Sequence, residues 1–423
     1  MDEPSRTQPL INPFRPGAGH SPPYLAGRDA EKDEFTALLN QDVILSNAVI
    51  TGLRGVGKTV LLEQLKPVAF GKRWLWAGTD LSESASVSED MVVRRLLADL
   101  SIVSSGLTSG NIPLPGILPI GSPEGVRLDY VTLTSLYEAQ PGLAADKLKT
   151  VLEFVWSCLK ATEIRGVVFA YDEAQTMDDH ADTNQFPLSL LLDVFQSIQR
   201  KGIRFLLVMV GLPTLFPKLI AARTYAERMF KLITLGRLSP EDSKEAIICP
   251  IKKVKNCPIE FSPKAIFSII ETSAGYPYFI QFICKECFDI YAQQWATGAK
   301  LSVSLFSITR KLDKEFFAGR WLRTTDRQKA LLVVIARLKN CDEHFSVQDI
   351  VNESKKSGQS FSASHVNQML VTLGNAGLTY KDRHGKYAFA VPLLGQFIRR
   401  HQADADGTQL TLPLGQTSSD FFE

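Results

Sequence analysis

Gly52-Leu53-Arg54-Gly55-Val56-Gly57-Lys58-Thr59 is a complete G-x-x-x-x-G-K-T phosphate loop. Glycines at these places let backbone N–H groups turn inward around the α- and β-phosphates with no Cβ in the way. Lys58 is placed to reach the β- and γ-phosphates, and the Thr59 hydroxyl to ligate Mg²⁺. The flanks agree with this reading. Asn47-Ala48-Val49-Ile50-Thr51 is a short apolar strand, and Val60-Leu61-Leu62-Glu63-Gln64-Leu65 has a helical pattern. The loop therefore opens a helix whose N-terminal dipole faces an anion. Gly52, Arg54, Gly55, Val56, Gly57, Lys58, Thr59 and Val60 are the expected nucleotide-binding positions, and ATP with Mg²⁺ the expected ligand.

Moving outward, strand and helix patterns alternate from residue 24 to residue 237, which implies a parallel sheet covered by helices. The expected strands are Val49–Thr51, Trp74–Ala77, Val167–Tyr171, Arg204–Val210 and Lys231–Leu235. Residues 1–23 are rich in Pro and Gly and read as an irregular arm. Residues 101–125 read as a long Pro- and Gly-rich loop; such loops are uncommon in a compact domain and are often functional. Ser239-Pro240-Glu241-Asp242 is a helix start, with Pro just inside and acids in the first turn. It opens a helical stretch over 238–322. Residues 323–400 hold three helical patterns and a hairpin, and 401–423 form a polar tail expected to be disordered.

Composition narrows the classes. The 423 residues are 45% hydrophobic and 22% charged, enough for about two or three ordinary globular domains. A formal net charge of +2 argues against wholesale electrostatic coating of nucleic acid, so any DNA contact must come from a local patch. The N-terminus has no apolar leader pattern, and the longest apolar run, Phe205 to Leu212, is too short to cross a bilayer. No membrane association and a cytoplasmic location are expected. Cys284-Lys285-Glu286-Cys287 has C-x-x-C spacing and leaves two readings, half of a zinc site or buried thiols in the apolar helix that contains it.

Val167-Val168-Phe169-Ala170-Tyr171-Asp172-Glu173 is the natural partner of the phosphate loop. A buried parallel strand delivers two acids at its carboxyl end, where such sheets bind ligands. Asp172 suits the Mg²⁺ shell, and Glu173 suits deprotonating the attacking water.

With these two motifs the chain resembles the AAA+ superfamily, in the branch joining archaeal and eukaryotic origin-recognition ATPases with the STAND signalling ATPases. The resemblance spans residues 22–400. It implies an α/β, three-layer parallel-sheet ATPase core with a helical lid and a C-terminal winged helix. Leu25-Ala26-Gly27-Arg28-Asp29-Ala30-Glu31 is similar to the branch's G-R-x-x-E segment, which implies that Arg28 lies beside the adenine. Arg223-Thr224-Tyr225-Ala226-Glu227-Arg228-Met229-Phe230 resembles the segment carrying an arginine finger, with Arg228 the candidate. That role implies a homo-oligomer in the ATP state, because a finger acts on the neighbour's phosphoryl group. Ser273-Ala274-Gly275-Tyr276-Pro277-Tyr278-Phe279 resembles the G-x-P motif of STAND lids and brings Pro277 to the nucleotide. One departure stands out. In the family the strand after the Asp-Glu pair ends in a polar γ-phosphate sensor, and here Val210-Gly211-Leu212-Pro213 stand in its place.

In the winged helix, residues 362–373 form the expected recognition helix. Val366, Met369, Leu370 and Leu373 face inward, and Ser364, His365, Asn367 and Gln368 face base edges or phosphates. Residues 379–389 read as a hairpin wing whose tip presents Arg383, His384 and Lys386 to a phosphate backbone. STAND proteins use the same module as a protein-packing hinge, so DNA contact and packing both stand as readings. In the tail, Gln409-Leu410-Thr411-Leu412-Pro413-Leu414 resembles the Q-L-x-L-x-L hexapeptide that docks bacterial proteins onto the replicative sliding clamp, in a form similar to that of Hda. An extended peptide would set Leu412 and Leu414 in an apolar cleft, with Gln409 and Leu410 completing the contact; a tail strip that packs on the body is the other reading. The expected function is a Mg²⁺-dependent ATPase switch acting on DNA, in replication control, transposition or defence. The alternatives are a STAND-type signalling switch and a nucleotide-stabilised scaffold without turnover.

Overall fold

Five strands pair in the order β2-β3-β4-β1-β5: β1 is Asn47–Gly52, β2 Trp74–Ala77, β3 Gly166–Tyr171, β4 Phe205–Gly211 and β5 Phe230–Leu235. The computed structural model describes residues 10–17, 19–109, 125–255, 257–299, 303–358, 360–383 and 385–405. Its described residues divide into two compact units. One is Arg28–Gly52 with Leu61–Leu235; the other joins Met1–Gly27, Leu53–Val60 and Gly236–Glu423.

All pairings in the sheet are parallel, with Val49 beside Met209 and Leu232, and Phe169 beside Ala77 and Leu207. Every residue of β1, β3 and β4 is buried. This is why these strands are unbroken apolar runs rather than alternating ones. Val49, Phe169, Phe205 and Met209 share one core with the helices Glu89–Ser104, Ala144–Leu159 and Pro187–Arg200. Residues of opposite parity, such as Ile50, Val168 and Val208, are buried as well. On the helix Asp29–Leu39, Phe35 packs 6.0 Å from Trp76 of β2, and the Leu39 carbonyl accepts from Trp74 Nε1 at 3.2 Å.

A polar lock holds the amino ends of these strands. The buried Asn47 amide exchanges two hydrogen bonds with Gln199 at 3.0 and 2.8 Å, and its Oδ1 also accepts from Leu207 N at 2.8 Å. Gln199 donates in addition to the Phe205 carbonyl at 2.7 Å. Removing either amide would leave buried partners unsatisfied, at a cost of about 1–3 kcal/mol.

The second unit is helical through Leu322. The helices Pro240–Lys252, Pro263–Ser273 and Pro277–Thr297 each begin with Pro, where the missing N–H is harmless. Ser239 caps the first, accepting from Asp242 N at 3.0 Å. Leu305–Leu312 runs through a π-turn, Asp313–Phe317, into Ala318–Leu322. Cys284 and Cys287 lie inside the apolar core of Pro277–Thr297, and burial pushes both thiols up.

Next come Asp326–Arg337, Val347–Lys356 and Ala363–Asn375, then the antiparallel pair β6 (Thr379–Arg383) and β7 (Lys386–Phe389). Capping boxes Thr325/Gln328 and Ser346/Asp349 start the first two of these helices. Phe345 joins the hairpin by mutual 2.8 Å backbone bonds with Tyr387. Three helices and a wing is the element order of a winged helix, and it shares one continuous core with the lid helices.

Two sequence expectations need correction. Residues 101–104 are the last turn of Glu89–Ser104 rather than loop; residues 110–124 lie outside the described residues. The tail does not begin at His401, because the helix Leu394–Ala405 continues past it. His401 stacks on Phe397 at 5.7 Å and meets Trp321 edge-on at 5.4 Å, and Asp404 pairs with Arg310. The amino-terminal arm is irregular but anchored. Phe14 is buried between Phe261 and Phe288, and Asn12 donates to the Lys285 carbonyl at 2.9 Å. Among the described residues no helix is long and apolar enough to cross a membrane.

Candidate nucleotide-binding site

The phosphate loop follows β1 directly and leads into the helix Lys58–Gly71. Gly55 and Gly57 both take positive φ, +80° and +91°, a conformation that strains any residue bearing a Cβ. At Gly57 an added Cβ would meet nothing within 4 Å, so the middle of the loop faces open space, as a phosphate cradle must. Val56 is buried and Arg54 exposed. Lys58 Nζ donates to the Leu53 carbonyl at 3.1 Å, which holds the ammonium at the mouth of its own loop.

The lid closes on this loop from one side. Tyr278 N donates to the Gly55 carbonyl at 3.1 Å, and a Cβ on Gly55 would stand 3.0 Å from Tyr278 Cβ. Pro277, the residue expected at the nucleotide, begins that helix. The preceding turn is held by Ala274 and Gly275, at φ +47° and +73°. Gly275 O accepts from Leu238 N at 2.8 Å, and a Cβ on Gly275 would lie 2.7 Å from Leu238 O. Tyr278 packs at a tilt against Phe316 with ring centroids 4.9 Å apart, and the Arg320 guanidinium covers the Phe316 ring at 4.3 Å. Burial, with help from Arg54 and Arg323, holds the Arg320 guanidinium below its usual value. The arm also approaches: a Cβ on Gly19 would be 3.7 Å from Thr59 Cγ2.

In the α/β unit, β3 is followed by buried Asp172 and exposed Glu173. Asp172 Oδ1 accepts from Glu173 N at 2.8 Å, and Glu173 sits at φ +52°, a strained conformation typical of functional turns. Asp80, beyond the end of β2, is bridged to Asp172 through the backbone. Gly78 allows that approach, since a Cβ there would collide with the Ala170 carbonyl. Gln175 donates to Glu173 Oε2 and accepts from Leu212 N at 3.0 Å.

Arg28 is buried, with its guanidinium 3.3 Å from Glu31 and its carbonyl accepting from Lys32 N at 3.2 Å. The two arginines of the finger segment differ. Arg223 makes a two-pronged pair with Asp193 at 2.9 and 2.7 Å, and Tyr225 adds a 2.6 Å bond to the same carboxylate. Burial works against ionisation of Asp193, but the bonds from Arg223 and Tyr225 prevail and hold it below its ordinary range. Arg228 is exposed and forms no ion pair among the described residues.

On the helix Ala363–Asn375, Val366, Met369, Leu370 and Leu373 are buried, while Ser364, Asn367 and Gln368 are exposed. His365 is half-buried, with Nδ1 3.1 Å from Arg327 Nη2. Arg383 ends β6 and half-buried Lys386 begins β7. His384 and the tail residues Gln409, Leu410, Leu412 and Leu414 lie outside the described residues. Sequence reasoning missed Asp80, Gln175, Tyr278 and Arg320. Only Asp80 had a signal, as an acid just past the carboxyl end of a parallel strand.

A family model described as a domain of unknown function, DUF8462, matches residues 314–398. No curated protein matches the chain in sequence. Among solved structures the chain is similar to the Walker-type ATPase PABY2304 of Pyrococcus abyssi, at 14% identity and a TM-score of 0.55, covering 89% of this chain and 96% of that one. It is also similar to the ADP form of the Aeropyrum pernix ORC2 protein, at 14% identity and a TM-score of 0.53, covering 92% of this chain and 98% of the other. At such identity the likeness concerns architecture alone: the chain has an α/β fold like that of these two proteins.

Proposed function

We propose that the chain is a Mg²⁺-dependent, ATP-binding and ATP-hydrolysing switch that acts on DNA or on a DNA-bound assembly. The observation that carries this reading is the phosphate loop, with two glycines at positive φ, open space at Gly57 and Lys58 at its mouth. Backbone N–H groups from Gly55 to Val60 and the Lys58 ammonium bind the phosphates. Arg28 and Pro277 are assigned to the nucleotide's other end. Thr59 and Asp172 would hold Mg²⁺, whose charge offsets that of the phosphate oxygens when bound. Glu173 accepts the proton of the attacking water, and Arg228 of a neighbouring copy neutralises charge on the transferred group. Homo-oligomers in the ATP state follow from that last role, and a cytoplasmic location fits the whole. The exposed Ser364, Asn367 and Gln368, with His365, Arg383, His384 and Lys386, form the DNA-contacting face. The tail hexapeptide tethers the protein to a sliding clamp.

Glu173→Gln tests the reading. It keeps the shape and removes the base, so ATP should stay bound while turnover falls by at least about a hundredfold. Hydrolysis at the wild-type rate would remove Glu173 from the role.

One observation favours the signalling alternative. Arg54 of the phosphate loop reaches the C-terminal module, with Nη2 3.1 Å from the position of a Cβ on Gly377. A module that touches the loop is suited to report nucleotide state by packing. An ATP-loaded protein with no salt-sensitive affinity for duplex DNA would favour that use.

A further inference from the structure

The strand end where AAA+ relatives are expected to carry a polar sensor is here Val210-Gly211-Leu212-Pro213, and a different element fills the place. Gln175, in the turn after β3, lays its side-chain amide across the tip of β4. Its Oε1 accepts from Leu212 N at 3.0 Å, and its Nε2 donates to Glu173 Oε2. Gly211 makes the room. A Cβ there would collide with Gln175 Oε1 and stand 3.1 Å from Leu215 Cδ2. Lys218 pins the turn from beneath, donating to the carbonyls of Gln175 and Met177 at 2.9 and 3.1 Å and pairing with Asp178 at 3.0 Å.

We propose that Gln175 is the positioning residue for Glu173, supplying from the β3 turn the polar contact that the β4 tip lacks. An exposed glutamate has several rotamers, and holding one of them costs side-chain entropy. A charge-assisted bond from an amide that is itself held at Leu212 selects the rotamer. The same amide joins the β4 tip to the base, so a shift at Gly211–Leu212 moves Glu173. Gln175 acts through Glu173 and does not itself react. The inference rests on the reading of Glu173 as the base.

The test uses the full chain, with ATP affinity, steady-state and single-turnover hydrolysis and thermal melting read for each variant. Gln175→Glu keeps an acceptor for Leu212 N but sets a carboxylate against Glu173. It should lower kcat by at least about thirtyfold with KM within about threefold. Gly211→Ala leaves both residues intact but displaces the amide, so it should reproduce the loss in kcat. Combined with Gln175→Ala it should be no worse than the poorer single variant. Gln175→Ala or Gln175→Glu turning over within about twofold of wild type would overturn the assignment. So would a loss that follows the melting temperature, or one that appears in KM rather than in kcat. Wild-type protein that binds no ATP, or binds it without hydrolysis, would instead remove the ATPase reading and this inference with it.

Discussion

Tyr278 donates its backbone N–H to the Gly55 carbonyl at 3.1 Å, so the first turn of Pro277–Thr297 closes on the phosphate loop. That N–H is one of the donors a helix start leaves without an intrahelical partner. The loop carbonyl satisfies it, and lid and loop are thereby tied into one unit.

The two loop glycines should therefore respond differently to a methyl group. Gly55→Ala and Gly57→Ala both force a Cβ into positive φ, at a cost of about 1–3 kcal/mol. Only Gly55→Ala adds contact with Tyr278, at 3.0 Å. It should show the larger fall in melting temperature without nucleotide, whereas both should weaken ATP binding. Equal melting temperatures would mean that the Tyr278 contact yields freely.

Turnover should rise with protein concentration if Arg228 acts from a neighbour. Mixing inactive Lys58→Ala with an excess of Arg228→Ala should restore activity, since each supplies what the other lacks. Arg223→Ala should behave as a stability variant, because its guanidinium is engaged by Asp193. Mixed assemblies that recover nothing would count against a finger at Arg228.

DNA affinity should weaken when Arg383 and Lys386 are both changed to Ala. The slope of log affinity against log salt should flatten by about 0.9 for each phosphate that these two cations neutralise in the wild type. An unchanged slope would leave the wing as a packing element and favour the signalling reading.

A peptide spanning residues 408–415 should bind a bacterial sliding clamp in the micromolar range, about −8 kcal/mol or weaker, since a short strand loses entropy on docking. Changing Gln409 and Leu412 to Ala in the full chain should abolish clamp binding and leave ATPase activity intact. A labelled peptide without saturable binding would sink the clamp tether.

The sequence alone determined the elements and the reagents. Apolar runs long enough for strands and too short for spans marked all five sheet strands. Glycine spacing marked the phosphate loop, Asp172-Glu173 marked the acidic pair, and Ser239 marked a helix start. These signals are local: a strand, a cap or a loop is specified within a few residues by sterics and hydrogen-bonding capacity. Tertiary structure alone decided what the local code does not contain. It set β4 between β1 and β3, joined Asn47 to Gln199 across 152 residues, and buried Phe14 of an irregular arm. It kept the helix running past His401, and it placed Gln175 where Gly211 leaves space. Each of these depends on which surfaces meet once the chain has closed, and packing complementarity between distant segments leaves no periodic trace in either one.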